Sequence, residues 1–172
     1  DSIGGQAKPI TFHLEYDGYP VFSPDGKWIA FGSKRYGHFD IFIIPSEGGT
    51  PRRLTWHSGH DIPFGWSPDG KKIAGYDQTL KVWDSSTGAE LVSGVDAIFK
   101  TNPAWNNDGT ELTVLGRDGK IRLMDATNGK VLRIIYQFKL EHKFMGVKWG
   151  PKGDKIAFRW SNGTVSIKDT KT

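Results

Sequence analysis

His57, His60 and Asp61 fall within a five-residue window, and two imidazoles beside a carboxylate are donors that suit zinc. A structural zinc site needs four ligands. No further ligand is apparent around these three, and the chain contains no cysteine, so the structural reading is preferred: His57 ends an outer strand and His60 lies in a turn between sheets. Asp25, Asp69, Asp108 and Asp118 form a second series of carboxylates. Each precedes a glycine, and an aspartate at such a tight turn bonds its local backbone. Ser23 and Ser67 each precede a proline, and neither is accompanied by a His-Asp pair in a nucleophile motif. Without cysteine there is also no thiolate nucleophile and no disulfide. These residues therefore define turns, and no catalytic activity, metal or cofactor is expected.

The aromatic residues offer a different chemistry. The chain has 7 Trp, 5 Tyr and 10 Phe. Tyr16, Tyr19, Trp56, Phe64 and Trp105 lie at the ends of apolar runs, and with Arg52 and Arg53 beside them they would suit a peptide or protein bound at a rim. The competing use of such rings is packing between adjacent sheets. Trp28, Phe31, Phe42, Ile44, Trp83, Leu123, Phe158 and Ile167 are expected in the core.

The element that positions all of these is a repeated hairpin. Phe22-Ser23-Pro24-Asp25-Gly26-Lys27-Trp28-Ile29-Ala30 recurs as Trp66-Ser67-Pro68-Asp69-Gly70-Lys71-Lys72-Ile73-Ala74, then around Trp105-Asn106-Asn107-Asp108-Gly109, and again around Trp149-Gly150-Pro151-Lys152-Gly153. Gly26, Gly70, Gly109 and Gly153 mark the repeats, at spacings of 44, 39 and 44 residues. Asp-Gly between two apolar runs is a strong hairpin signal, because glycine takes the positive φ of the turn. A period of about 40 to 45 residues with all-β chemistry is the signature of propeller blades.

Strands are predicted at 19–22, 27–33, 40–45 and 52–56; at 62–66, 71–76, 79–84 and 90–93; at 103–105, 111–116, 120–125 and 131–138; and at 144–149, 154–160 and 164–169. No segment shows helical periodicity. The fourth blade is one strand short. Its missing strand is expected at the other end of the chain, where Gly4-Gly5 through Ile10-Thr11-Phe12-His13 repeats the pattern of Gly48-Gly49 through Leu54-Thr55-Trp56-His57.

Composition narrows the partners. With 23 Lys and Arg against 19 Asp and Glu, the net charge is +4. The cations are scattered, so neither a nucleic-acid footprint nor a membrane-binding run is expected. No apolar run approaches a membrane span, and Asp1-Ser2-Ile3-Gly4-Gly5 lacks the basic start and apolar stretch of a signal peptide. The compartment is left open.

Residues 8–76 resemble the propeller repeats of the tricorn-protease and TolB group. The resemblance is carried by Tyr19-Pro20-Val21-Phe22-Ser23-Pro24-Asp25-Gly26-Lys27-Trp28-Ile29-Ala30-Phe31, Asp40-Ile41-Phe42-Ile43-Ile44, Gly48-Gly49 and Arg53-Leu54-Thr55. Residues 77–172 instead resemble WD repeats, most clearly at Thr79-Leu80-Lys81-Val82-Trp83-Asp84-Ser85-Ser86-Thr87-Gly88, although Met124 and Lys168 stand where that family has tryptophan. The second resemblance implies one buried polar network, with His60, Asp77 and Trp83 as members. The hairpin at Tyr76-Asp77-Gln78 reads as about two residues short, which suggests two propeller sequences joined within the second blade.

The expectation is one all-β propeller domain over residues 1–172. It comprises a closing outer strand at 1–15 and four-stranded antiparallel blades at 16–57, 58–98, 99–140 and 141–172, the N-terminal strand completing the last. Propellers that resemble these repeats mostly close with six to eight blades. A homodimer exchanging N-terminal strands to make an eight-bladed ring is therefore expected ahead of a four-bladed monomer. The leading expectation for function is a non-enzymatic scaffold, engineered or recombined from two propeller families and without a dedicated ligand. The alternative is a fragment of a peptide- or protein-binding propeller of the TolB and tricorn type.

Overall fold

The turn after Phe22 shows how this sequence makes a sheet. Ser23 Oγ donates to the Asp25 carboxylate at 2.6 Å and accepts the Trp28 N–H at 2.9 Å. The same carboxylate accepts the Lys27 N–H at 3.1 Å, and Gly26 takes φ +71°, a region that glycine enters freely. The chain reverses, and β1 (Asp17–Phe22) pairs antiparallel with β2 (Trp28–Ser33), followed by β3 (Asp40–Pro45) and β4 (Arg52–Arg53).

The computed structural model describes residues 7–56, 59–97, 103–137 and 144–170, and within them the motif recurs. Ser67 and Asp69 repeat the turn at 2.6 Å between β5 (Ile62–Trp66) and β6 (Lys72–Asp77). β7 (Thr79–Asp84) and β8 (Glu90–Val95) complete that sheet. In the third sheet Asn106 replaces the serine, its Oδ1 accepting the Glu111 N–H at 2.9 Å. This sheet holds β9 (Ala104–Trp105), β10 (Glu111–Leu115), β11 (Lys120–Asp125) and β12 (Val131–Gln137). In the fourth, the Gly153 N–H reaches the Gly150 carbonyl at 3.0 Å, and β13 (Phe144–Trp149), β14 (Lys155–Trp160) and β15 (Val165–Asp169) form a sheet of three strands. Observed strand ends fall within two residues of the predicted ones everywhere except β4, where regular pairing stops at Arg53.

Apolar residues on both faces of the strands let the sheets stack in chain order. Ala30, Ile41, Ile43 and Leu54 of the first sheet pack on Ile73 and Trp83 of the second. Ala74, Leu80, Val82 and Val92 pack on Leu112, Val114, Met124 and Ala126 of the third. Leu115, Ile121, Leu123 and Ile135 pack on Phe144, Ile156, Phe158 and Trp160 of the fourth. Each fully buried large aliphatic side chain contributes about 1.5–3 kcal/mol. The first strands of neighbouring sheets touch, β1 with β5 and β9 with β13. Indoles tether them there: Trp66 Nε1 donates to the Val21 carbonyl at 3.1 Å, and Trp149 Nε1 to the Ala104 carbonyl at 3.3 Å.

Three expectations are corrected. Residues 7–16 form no strand, and Ile10 packs on Ile29, Phe31, Phe42 and Ile44 of the first sheet instead of pairing with the fourth. The sheets are therefore not closed into a ring by the chain's own N-terminal segment. Ile167 is exposed rather than core, because it faces outward on the last sheet. Trp28 is also exposed, lining a cleft of about 700 Å³ between the first two sheets with Trp66 and Arg52. The hairpin noted as short consists of one residue: Asp77 pairs directly with Thr79, and Gln78 is forced to φ +56°, a region costly for a side chain with a Cβ.

Candidate binding surface at the rim of the first sheet

One end of the first sheet gathers the start of β1, the β2–β3 turn and the end of β4. Gly18 and Gly32 face each other across β1 and β2, leaving a bare patch where side chains would otherwise stand. Tyr16 folds over Gly18, and Phe39 comes within 3.2 Å of the position a Gly32 Cβ would take. A bulge between Gly18 and Val21 puts Tyr19 at φ +57°. The bulge aims the Tyr19 ring at Phe39, 5.4 Å away and edge-to-face, while Tyr16 stands 5.8 Å from Phe39 and 6.5 Å from Tyr19. Backbone strain of this kind costs about 1–3 kcal/mol and persists where the surroundings enforce it.

Cations stiffen the same end. Lys34 Nζ lies 4.9 Å from the centre of the Phe39 ring. Arg35 is 4.4 Å from the Phe42 ring and donates to both Asp17 oxygens at 3.2 Å. Tyr36 stacks on Phe42 with an 11° interplanar angle. Arg53 lies 4.2 Å from the Tyr36 ring and 5.8 Å from Trp56, donating to Asp40 at 2.7 Å and to the Thr55 carbonyl at 2.9 Å. Tyr16, Tyr19, Tyr36 and Trp56 are between 46% and 62% exposed. Four large rings are thus held in place by neighbours while presenting about half their surface to solvent.

At this end of the first sheet the structure groups Tyr16 and Tyr19 around Phe39, and Trp56 and Arg53 with Tyr36, and it separates both groups from the other candidates. Phe64 and Trp105 line a cleft of about 830 Å³ along the first strands of the later sheets, with Trp66, Trp149 and Met145. Arg52 points to the opposite end of its sheet, where it donates to the Ser85 carbonyl at 2.9 Å. Tyr36, Phe39, Lys34 and Arg35 were missed. Their signal is the turn Lys34-Arg35-Tyr36-Gly37-His38, two cations and an aromatic ahead of a glycine at φ +93°.

The histidine and aspartate candidates do not assemble a metal site among the described residues. His57 lies outside them. The His60 ring accepts the Phe39 N–H through Nδ1 at 3.3 Å, while the backbone N–H of His60 donates to Asp77 Oδ1 at 3.1 Å. Asp61 is fully buried. The Lys81 ammonium lies 3.4 Å from Asp77 and 3.1 Å from Glu90. Burial works against its charge, but the Glu90 bond and the nearby Asp61 carboxylate outweigh that and raise its pKa. The expected His60–Asp77–Trp83 network is corrected: Trp83 is buried in the core, and among the described residues its Nε1 has no hydrogen-bond partner. The His60 ring has turned to Phe39 instead.

The aspartates at the turns act on their own backbone. The Ser23 hydroxyl and the Lys27 amide hold the Asp25 carboxyl below the usual range. At Asp69 burial pushes upward, but the Ser67 and Lys71 bonds prevail and lower it. Arg122 does the same for Asp118. At the β7–β8 turn, Asp84 accepts from the Ser86 hydroxyl and the Thr87 amide at 2.6 and 2.8 Å, which brings its pKa from 3.8 to about 2. Its folded-state value is depressed, so its contribution to stability is fully present above about pH 3.8 and is lost as pH falls through about 2. Denaturant midpoints measured down that interval should fall less steeply in Asp84→Asn than in the parent. Parallel slopes would remove Asp84 as a cause.

Antiparallel sheets stacked in chain order and tethered through their first strands define an arc of a β-propeller. Residues 1–93 match the tricorn protease N-terminal β-propeller domain, and the chain belongs to that family. It is 35% identical over 139 residues to an uncharacterized protein of Agrobacterium fabrum strain C58, covering 81% of this chain and 38% of that protein. Among solved structures, a TolB from Agrobacterium tumefaciens superposes with a TM-score of 0.63 at 24% identity over 87% of this chain and 60% of its own. TolB from Acinetobacter baumannii gives 0.62 at 24% identity, over 89% and 40%. The chain thus spans less than two thirds of each relative, as a stretch of a TolB- and tricorn-type propeller. No described helix is long and apolar enough to cross a membrane.

Proposed function

We propose that this stretch of propeller is a non-enzymatic recognition module that binds a protein or peptide at the rim of its first sheet. The observation that carries the reading is the set Tyr16, Tyr19, Tyr36 and Trp56, exposed yet immobilised at one end of one sheet. Tyrosine, tryptophan and arginine dominate the energetics of interfaces, and rings already fixed lose little entropy when a partner arrives. The polar groups nearby are engaged in structure: Arg53 with Asp40, Arg35 with Asp17, and His60 Nδ1 with the Phe39 amide. That arrangement favours binding over turnover.

Panning a displayed peptide library on the chain tests this. Enriched peptides should lose at least ten-fold in affinity on Trp56→Ala and on Tyr19→Ala, and keep it on Phe12→Ala, which removes an exposed ring elsewhere. Binding indifferent to Trp56 and Tyr19 would refute the rim.

A further inference from the structure

A shift of 44 residues superimposes the first hairpin on the second, so Trp28 and Lys72 hold the same position at the start of β2 and β6. The second sheet uses that position to cross to its neighbour: the Lys72 ammonium donates to the Gly109 carbonyl in the turn of the third sheet, at 3.3 Å. The first sheet places an indole there instead. The matching acceptor is the Gly70 carbonyl, which accepts the Ser85 hydroxyl of its own sheet at 2.7 Å. A carbonyl oxygen has two lone pairs, so a second donor can be taken.

The cleft of about 700 Å³ opens where that crossing is missing, with Trp28, Trp66 and Gly70 in its lining. Trp28 is 43% exposed. The turns of the two sheets meet here, since Pro24 Cγ stands 3.6 Å from the position of a Gly70 Cβ, and they bring Asp25 and Asp69 into the same lining. Each aspartate uses Oδ1 for its own turn, accepting a serine hydroxyl and the amide two residues on. Oδ2 is left for another donor. Both carboxyl groups lie below the usual carboxylate range and are charged at neutral pH. Among the described residues Arg52 is the only cation lining the cleft, and its guanidinium is already bonded to the Ser85 carbonyl at 2.9 Å.

We propose that this cleft binds the lysine side chain of a peptide, its ammonium seated between the Trp28 ring, the Asp69 carboxylate and the Gly70 carbonyl. Tryptophan is the aromatic ring that attracts a cation best, and an adjacent carboxylate supplies the counter-charge with a short, strong hydrogen bond. The methylene stem of a lysine covers apolar surface while its head stays polar, and Pro24 and Pro68 provide that surface. A space of this volume is of the size that holds a whole small ligand, so residues flanking the lysine fit beside it. The ligand thereby makes, from outside, the contact that Lys72 makes within the chain. The cleft lies at the opposite end of the first sheet from the four rings, goes beyond the rim reading, and can fail or stand without it.

Titrating the isotope-labelled 172-residue chain with the tripeptide acetyl-Gly-Lys-Gly-amide should move the indole N–H resonances of Trp28 and Trp66 saturably. The same tripeptide with norleucine for lysine keeps the stem, lacks the ammonium, and should bind at least ten-fold more weakly. Trp28→Lys brings the chain's own ammonium to the Gly70 carbonyl. Its circular dichroism should match the parent, while its affinity for the tripeptide, read at Trp66, should fall at least ten-fold. Asp69→Asn, which keeps an oxygen for the turn, should weaken the tripeptide to the same extent. Equal affinity for the norleucine tripeptide, or undiminished binding by Trp28→Lys, would overturn the site. Butylamine bound as tightly as the tripeptide would overturn a peptide as its occupant.

Discussion

Trp83→Ala is expected to lower the unfolding free energy by about 4 kcal/mol, within the range for emptying a buried aromatic site. The indole belongs to the second sheet, is fully buried, and packs with Ala30, Ile41, Ile43 and Leu54 of the first. Its seat is cut to shape. Gly75 lies beneath it, and a Cβ there would come within 2.7 Å of the ring. The surrounding strands are pinned by pairing on both sides, so the cavity cannot collapse freely, and the cavity cost adds to the lost transfer energy. Urea unfolding followed by circular dichroism measures the loss. A decrease below about 1.5 kcal/mol would mean that the two sheets close over the gap, contrary to the rigid stacking described here.

Gly88→Ala is expected to cost roughly 2 to 6 kcal/mol, from left-handed strain of about 1–3 and overpacking of about 1–3. Gly88 ends the Ser85–Thr87 turn at φ +78°, and any Cβ there would overlap the Leu54 carbonyl oxygen of the neighbouring sheet. Gly26 supplies the control. Its φ of +71° is similar, but nothing lies within 4 Å of its missing Cβ, so Gly26→Ala should cost only about 1–2 kcal/mol. Thermal midpoints of the two variants separate the contributions. Equal shifts would show that backbone conformation alone matters and that the turn of one sheet does not wedge beneath its neighbour.

The strands were legible because their ends are set by local chemistry. Ser23, Asp25 and Gly26 make their turn from contacts spanning five residues, and the same types recur at Ser67, Asp69 and Gly70. What covers a strand is a long-range matter. Val165-Ser166-Ile167-Lys168 alternates like any half-buried strand, and nothing in that run says whether a neighbour faces Ile167. The same limit governed the N-terminal segment: its likeness to 48–57 marked it as an outer strand, but which sheet it would touch depends on where the arc ends. At the rim, Tyr16, Tyr19 and Trp56 stood out as aromatics at strand ends. Phe64 and Trp105 looked equivalent, yet neither projects at that rim, and Tyr36 was hidden in the middle of a turn.

Ile10 also fixes the direction in which the chain enters the fold. It lies within 4 Å of where a Gly48 Cβ would stand, beside the β3–β4 turn, and from there the backbone climbs past Phe12 and Leu14 to Tyr16. Residues 10–16 accordingly run along the first sheet from its β3–β4 turn to the end that carries the four rings.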